Sequence, residues 1–376
     1  MSDLIVSALT PTLTSGTGLR TYGVAAALAR HRPVEIAYVV WGAEQAAPEY
    51  AELPNVALRP LRSTRGPGRA FEFARSRRRG VPRDLARGVT PELAAVARSA
   101  PADVRVIADG PVVAAGLLRV ARRREVVYLA HNLESGGFRL ERERAGLERF
   151  ERAVFQSFTE SWMPTRADER GAAALAGDAI RTRYVPNVID VARVEPVTPA
   201  DRIPPPDGGR LLFVGDFTWG PNAEALEFLS REVLPAVWGR IPDVRLRAVG
   251  RGTPGTPRDP RIETPGFVAD LRSEYASADV ALVPLLRGGG SPLKFVEGLA
   301  YGLPVVATAH AARLLEDGVA GRDFLAADGA AELAAGIESM LADPGRAAAI
   351  GTAGRELAAR CYSVDALATL VSGETL

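Results

Sequence analysis

Hydrophobic and polar positions along this 376-residue chain alternate between two kinds of segment, and the alternation runs its course twice. Short apolar runs rich in Val, Leu and Ile occur at 4–9, 34–41, 104–108, 126–131, 161–164 and 183–186, and again at 210–215, 244–250, 262–266, 280–285 and 305–308. Runs of this length with few polar interruptions predict parallel strands covered on both faces. Between them lie stretches with helical spacing, at 18–30 and 90–98 in the first half and at 222–238, 270–278 and 292–301 in the second.

Two successive arrays of this kind predict an α/β protein of two Rossmann-like domains facing each other across a cleft. Residues 195–209 (EPVTPADRIPPPDGG) separate the arrays, and their five prolines and glycine pair read as a stiff linker. The expected organisation is a first domain over 1–195, a linker over 196–209, a second domain over 210–360 and a terminal segment over 361–376. A helix near 364–371 within that last segment is expected to pack back on the first domain.

Composition narrows the function classes. Hydrophobic content of 47% and charged content of 24% describe a soluble protein with ample core, and a net charge of +1 argues against a general polyanion binder. One cysteine, Cys361, excludes an internal disulfide framework and fits a reducing compartment. With three histidines (His31, His131, His310) and no CxxC or HExxH pattern, no transition-metal site is expected. His31, flanked by Arg30 and Arg32, is expected to be solvated. The N-terminus lacks a basic n-region, and no apolar run approaches the ~20 residues that span a bilayer. The expectation is a cytoplasmic protein.

Charge is nevertheless uneven. Ten arginines between Arg59 and Arg87 face only Glu72 and Asp84, a local net of +8. Two readings are open: a solvated loop and helix, or a surface that docks on an anionic membrane or an anionic acceptor. Nucleic acid is disfavoured, because only Phe71 and Phe73 interleave the charges.

Lysine is rarer still. Of 46 basic residues, Lys294 is the one lysine. Arginine presents a rigid fork and lysine a point charge suited to phosphate oxygens, so Lys294 is either a phosphate ligand or a surface residue that survived drift. Its surroundings favour the first. A predicted strand leads into Arg287 and the turn Gly288, Gly289, Gly290, where the backbone can approach a ligand closely. Ser291 and Pro292 follow as N-cap and first helical residue, then Leu293 and Lys294, so free amides and the helix dipole accompany two cations. Glu297, one turn beyond Lys294, can accept from a ribose diol or pair with Lys294 across i,i+3.

These residues carry a resemblance. GGGSPLKFVEGLAYGLPVVAT (288–308) resembles the nucleotide-sugar site of retaining glycosyltransferases of family 4, which have the GT-B fold. LLFVGDFTWGPNAEALEFLSREVLPAV (211–237) is similar to the opening strand and helix of that family's donor domain, with Gly215 at the strand end. TPGFVADLRSEYASADVALVPL (264–285) is similar to the segment where the nucleotide base meets backbone, near Gly266, Phe267 and Val268. HNLES (131–135) resembles the first-domain motif whose histidine, here His131, approaches the donor sugar and its phosphate. SGTGLRTYGVAAALA (15–29) matches the glycine-bearing first loop and helix, with Gly16 and Gly18, and VPNVID (185–190) the inter-domain passage. The order and spacing of the pieces make the resemblance specific.

The chain also departs from the family. The family's two glutamates have seven residues between them; Glu297 is the second, and the first falls on Gly289. Asp216 stands where the family has Arg, its nearby Lys is missing, and Val188 replaces a common Gly. A subset of relatives carries Arg before the triple glycine, so the resemblance assigns the lost cationic role to Arg287.

The implied reaction moves a sugar from a UDP-, GDP- or dTDP-sugar, as co-substrate rather than cofactor, to a glycan, lipid-linked or natural-product acceptor with retention. Arg287, Lys294 and the amides of residues 289–291 would neutralise the leaving diphosphate. No DxD pair occurs, so metal independence is expected. His131 would position and support the donor sugar, or is a histidine satisfied at a strand end. Gly16 and Gly18 would let amides approach the diphosphate or acceptor, or form a plain turn. Asp109 and Gly110 end another strand facing the acceptor, and Trp219 stands out on the loop after 211–215. The competing readings are a nucleotide-sugar epimerase or hydrolase on the same fold, and a catalytically silent binding subunit.

Overall fold

Seven strands, all parallel, build the first sheet of the computed structural model: β1 (Ser2–Ser7), β2 (Val34–Val40), β3 (Val56–Arg62), β4 (Val104–Asp109), β5 (Val126–Leu129), β6 (Glu160–Met163) and β7 (Thr182–Tyr184), in the order β3-β2-β1-β4-β5-β6-β7. Six more, also parallel, build the second: β8 (Arg210–Val214), β9 (Arg245–Val249), β10 (Ile262–Gly266), β11 (Val280–Val283), β12 (Val305–Thr308) and β13 (Leu325–Ala327), in the order β10-β9-β8-β11-β12-β13. The structure describes residues 2–63, 66–136, 141–197, 208–255, 257–289 and 293–372, without the side chains of 141 and 142.

The central strands follow from their composition. In β1, Leu4, Ile5 and Val6 are buried, and Ile5 lies level with Ile36 of β2 and Ile107 of β4. Strands β5, β11 and β12 are buried along their whole length, as a strand covered on both faces requires. Each sheet has its own core, one around Val6, Val106 and Leu117, the other around Phe213, Leu282 and Phe295.

The chain divides into two units. One comprises residues 2–188 with 289 and 367–372; the other comprises 189–288 and 293–366. The division falls between Val188 and Ile189, ahead of the proline-rich stretch, most of which (198–207) lies outside the described residues. From Leu367 onward the last helix (Val364–Val371) counts with the first unit. His31 is exposed, as expected, and its Nε2 also lies 3.1 Å from Ala368 O; Arg183 donates to Leu370 O at 3.0 Å. Among the described residues no helix is long and apolar enough to cross a membrane.

Both sheets have doubly wound order. The winding reverses between β1 and β4 in one and between β8 and β11 in the other, and sheets of this kind bind ligands outside the carboxyl ends of the strands at that reversal.

Candidate functional site

At the reversal in the second unit, the loop after β8 faces the loop after β11. Gly215 ends β8 with its N–H donating to Val249 O at 2.9 Å, and a Cβ there would stand 2.9 Å from Asn222 Nδ2. Asp216 then shapes the loop: its Oδ1 accepts from Thr218 N–H at 3.0 Å and from the Thr218 hydroxyl at 2.5 Å. Its carboxylate is thus spent on the turn. The helix Gly220–Phe228 opens here, and buried Asn222 donates its Nδ2 to Asp216 O at 2.7 Å.

From the other side comes the helix Leu293–Ala300, with Lys294 in its first turn. Lys294 Nζ donates to Asn222 Oδ1 and stands 5.4 Å from the Phe213 ring centroid and 5.9 Å from that of Trp219. Burial draws the ammonium down to about 7, against the supporting charge of Glu297. Burial likewise pushes Glu297 up to about 7, opposed by Lys294 and by the hydroxyl of buried Tyr275, which donates to it. Tyr275 stacks on Tyr301 at 4.2 Å between centroids.

The glycine-rich turn is pinned from two directions. Gly288 has a φ of +113°, and a Cβ on it would meet Trp219 Cη2 at 2.8 Å, so only glycine fits between this backbone and the exposed indole. His310 Nε2 lies 2.9 Å from Gly288 O. A Cβ on Gly289 would meet nothing within 4 Å. Arg287 forks onto Glu224 of the helix Gly220–Phe228, and both side chains are exposed. An exposed pair of this kind contributes little, so Arg287 can exchange Glu224 for another anion at small cost. Gly290, Ser291 and Pro292 lie outside the described residues.

The segment expected at a base ends β10. Gly266 has a φ of +82° and accepts from Gly250 N–H at 2.8 Å. Phe267 is exposed, with the Arg251 guanidinium 5.8 Å from its centroid, and Val268 packs against the core.

In the first unit, Gly16 and Gly18 lie in the first turn of the helix Gly16–Ala29 rather than in a loop. Ser15 is the N-cap and accepts from Gly18 N–H at 3.1 Å, and a Cβ on Gly18 would fall 1.9 Å from Thr12 O. His131 follows β5 and shares a hydrogen bond of 2.8 Å between its Nε2 and Asp109 Oδ1 at the end of β4. The other Asp109 oxygen accepts from the Thr21 hydroxyl at 2.9 Å. Gly110, φ +79°, leaves room for the His131 ring, since a Cβ would meet Cε1 at 2.8 Å. The loop after His131 hangs on two carboxylates: Asp168 accepts from Leu133 N–H at 3.1 Å, and Glu151 from Glu134 N–H at 2.7 Å and Ser135 N–H at 3.0 Å. Val188 fills the space that Gly23 leaves, a Cβ at Gly23 falling 2.7 Å from Val188 Cγ2.

The family model described as glycosyl transferases group 1 matches residues 208–343, which hold the whole Lys294 arrangement. Over this stretch the chain is similar to the group 1 glycosyltransferases. A phosphatidyl-myo-inositol mannosyltransferase of Mycolicibacterium smegmatis is 32% identical over 180 residues, 45% of this chain and 45% of that protein, so the match spans about half of either. The crystal structure of Anabaena HepE in complex with UDP and glucose superposes with a TM-score of 0.73 at 15% identity, covering 99% of this chain and 98% of that one. Sucrose-phosphate synthase from Thermosynechococcus elongatus gives 0.71 at 18% identity, over 99% and 98%. These two likenesses carry the fold.

Sequence reasoning did not single out Asn222, Glu224 or Tyr275 in the second unit, nor Arg20 in the first. Arg20 is buried and donates to Ala130 O, Val185 O and Asn187 Oδ1 at 2.8 Å each and to Trp162 O at 3.3 Å, joining the ends of β5, β6 and β7. Asn222 had a signal, since a polar residue opening the helix after a glycine-ended strand stands at the reversal point. Glu224 had none. Among the described residues no three His, Cys, Asp or Glu side chains gather as a metal site.

Proposed function

We propose that the protein transfers a glycosyl group from a UDP-, GDP- or dTDP-sugar to an acceptor, retaining anomeric configuration and using its own cations in place of a metal. The observation that carries this reading is Lys294, a desolvated ammonium held by Asn222 at the strand ends of the matched domain. The bond from the anomeric carbon to the diphosphate breaks, and negative charge grows on the departing phosphate. Lys294 meets that charge, and Arg287 joins it by leaving Glu224. Glu297 accepts from the ribose, and the backbone at Gly266, Phe267 and Val268 holds the base. The acceptor hydroxyl attacks from the face the diphosphate leaves and gives its proton to the departing phosphate oxygen, with no enzymic nucleophile. His131, fixed by Asp109, positions and supports the transferred sugar. The HepE structure, bound to UDP and glucose, supports a nucleotide-sugar donor.

The acceptor is a glycan, a lipid-linked intermediate or a natural product. The exposed arginines Arg59, Arg62, Arg77, Arg78, Arg83 and Arg87 bring a cytoplasmic protein to an anionic membrane face. An epimerase or hydrolase needs free carboxylates for acid–base work, whereas Asp216 is spent on its turn and Glu297 lies against Lys294 and Tyr275.

The test is turnover. Purified protein, in chelator, is offered UDP-, GDP- and dTDP-sugars with candidate acceptors, following nucleoside diphosphate release and the anomeric configuration of the product by NMR. Chelator-resistant release with a retained product supports the reading. Release that requires a divalent ion, or an inverted product, contradicts it. Donor binding without turnover across the acceptor panel moves the silent-subunit reading to the front.

A further inference from the structure

The helix Pro67–Arg78 buries the wrong kind of face. Glu72, Arg75, Ser76 and Arg79 recur at i, i+3, i+4 and i+7, the spacing at which a surface helix normally turns apolar residues inward. Here the buried residues of the helix are Glu72 and Ser76. Arg75 pairs with Glu72, both nearly covered. The Ser76 hydroxyl, Arg75 Nε and Arg79 Nη1 are buried with no hydrogen-bond partner. Native proteins rarely leave such atoms unsatisfied, and each instance asks for a cause.

The surroundings deepen the mismatch. The helix packs against the helix Gly110–Ala121, which brings Arg119 and Arg122 near its end; burial and the like charges of Arg75, Arg119 and Arg122 hold the Arg79 guanidinium below its usual range, with Glu72 as the opposing carboxylate. Arg119 and Arg122, at the end of the helix Gly110–Ala121, also line a cavity of about 830 Å³ with Arg98, Arg123, Val104 and Glu125. Val104 starts β4 and Glu125 precedes β5, whereas Asp109 ends β4 and His131 follows β5. The cavity therefore opens at the opposite end of the strands from His131.

We propose that Arg75, Ser76, Arg79, Arg119 and Arg122 form a binding site for a multiply charged phosphate-bearing anion, separate from the donor site. Guanidinium forks match phosphate oxygens two by two, and the serine hydroxyl supplies a further donor. A bound phosphate neutralises the repulsion among four arginines and partners the buried N–H groups at once. The phosphate source is a soluble phosphorylated compound or a lipid headgroup. The inference does not depend on the glycosyl-transfer reading.

The experiment uses the full-length Lys294→Ala variant, so that the donor-site cation plays no part, and titrates inorganic pyrophosphate by calorimetry. Pyrophosphate is expected to bind, and adding Arg79→Gln weakens it at least ~10-fold. Arg79→Gln also raises the midpoint of thermal unfolding in anion-free, low-salt buffer, because it removes repulsion, while Arg149→Gln, at an exposed position given no part in binding, changes neither reading. Should Arg79→Gln fail to fold, Arg122→Gln in the cavity lining gives the same comparison. Flotation with phosphatidylglycerol or phosphatidylcholine vesicles identifies the source: flotation on phosphatidylglycerol that needs Arg79 and is competed by pyrophosphate means a lipid headgroup, and pyrophosphate binding without flotation means a soluble ligand. Binding that is absent, or equal with and without Arg79, overturns the site.

Discussion

Lys294 donates to the side-chain oxygen of Asn222, and Asn222 passes the constraint on by donating its own amide to Asp216 O at 2.7 Å. The single lysine of the chain is thereby fixed to the loop that ends β8, although it belongs to the helix after β11. This tie gives the Asp216 substitution a meaning: the residue does not neutralise phosphate but builds the turn that holds the lysine's anchor.

Donor binding should weaken as pH rises. Burial holds Lys294 near 7 and Glu297 near 7. Below that value the ammonium is charged and the carboxyl neutral; above it the lysine loses its proton and the glutamate gains charge. Both changes make the site less welcoming to a diphosphate, so binding takes up a proton. Between about pH 6 and about pH 8 the affinity for the best-bound sugar nucleotide, whose phosphates do not titrate there, should fall ~10-fold or more. Calorimetry in buffers of different ionisation heat measures the uptake, and a flat profile without proton exchange would count against the pair.

Asp109 should matter to turnover more than to donor binding. It accepts from His131 and from Thr21, and so fixes the imidazole through its Nε2. Asp109→Asn presents an amide that can donate where the carboxylate accepts. We expect kcat to fall roughly 10-fold to 100-fold, the usual loss when an orienting partner is removed, with KM for the donor little changed. An unaltered kcat would mean that the orientation of His131 is irrelevant to the reaction.

Arg20 should be a stability residue. Its guanidinium satisfies Ala130 O, Val185 O, Asn187 Oδ1 and Trp162 O inside the first unit. Burial draws it down to about 10, while Asp109 and Asp168 support its charge. Arg20→Met leaves four buried acceptors and two carboxylates without their cation and should cost about 3–5 kcal/mol in urea unfolding. Arg20→Lys restores only part, because an ammonium cannot span the fork. A loss below about 1 kcal/mol would show that water replaces the arginine at little cost.

Most of the framework was legible because buried parallel strands write themselves as apolar runs. The two missed strands had physical excuses. In β3 (VALRPLR) most side chains are exposed, and Pro60, which lacks an N–H, is tolerated because the strand lies at the sheet edge. β13 is three residues of Leu and Ala. The predicted helix at 222–238 begins at Gly220 and carries a widened turn over Leu229–Val233, just ahead of Pro235, which no periodicity announces. At the site, Lys294 was legible from its rarity and Gly288 from its setting, but their partners come from elements far apart in sequence. Nothing local marks Asn222 for Lys294, Glu224 for Arg287 or Gly23 for Val188; each pairing exists only once the sheet order is fixed.

The central claim, that Lys294 is the diphosphate ligand of a donor site at the ends of β8 and β11, is met most directly by nucleotide binding. Wild type and Lys294→Ala are compared by thermal unfolding with UDP, GDP, ADP and dTDP in chelator. A ligand at ~100 times its Kd stabilises the native state by roughly 2.7 kcal/mol, well within reach of the method. The account predicts a shift for one or two of the nucleotides in wild type and its loss in Lys294→Ala. A nucleotide shift of equal size in both proteins would contradict it.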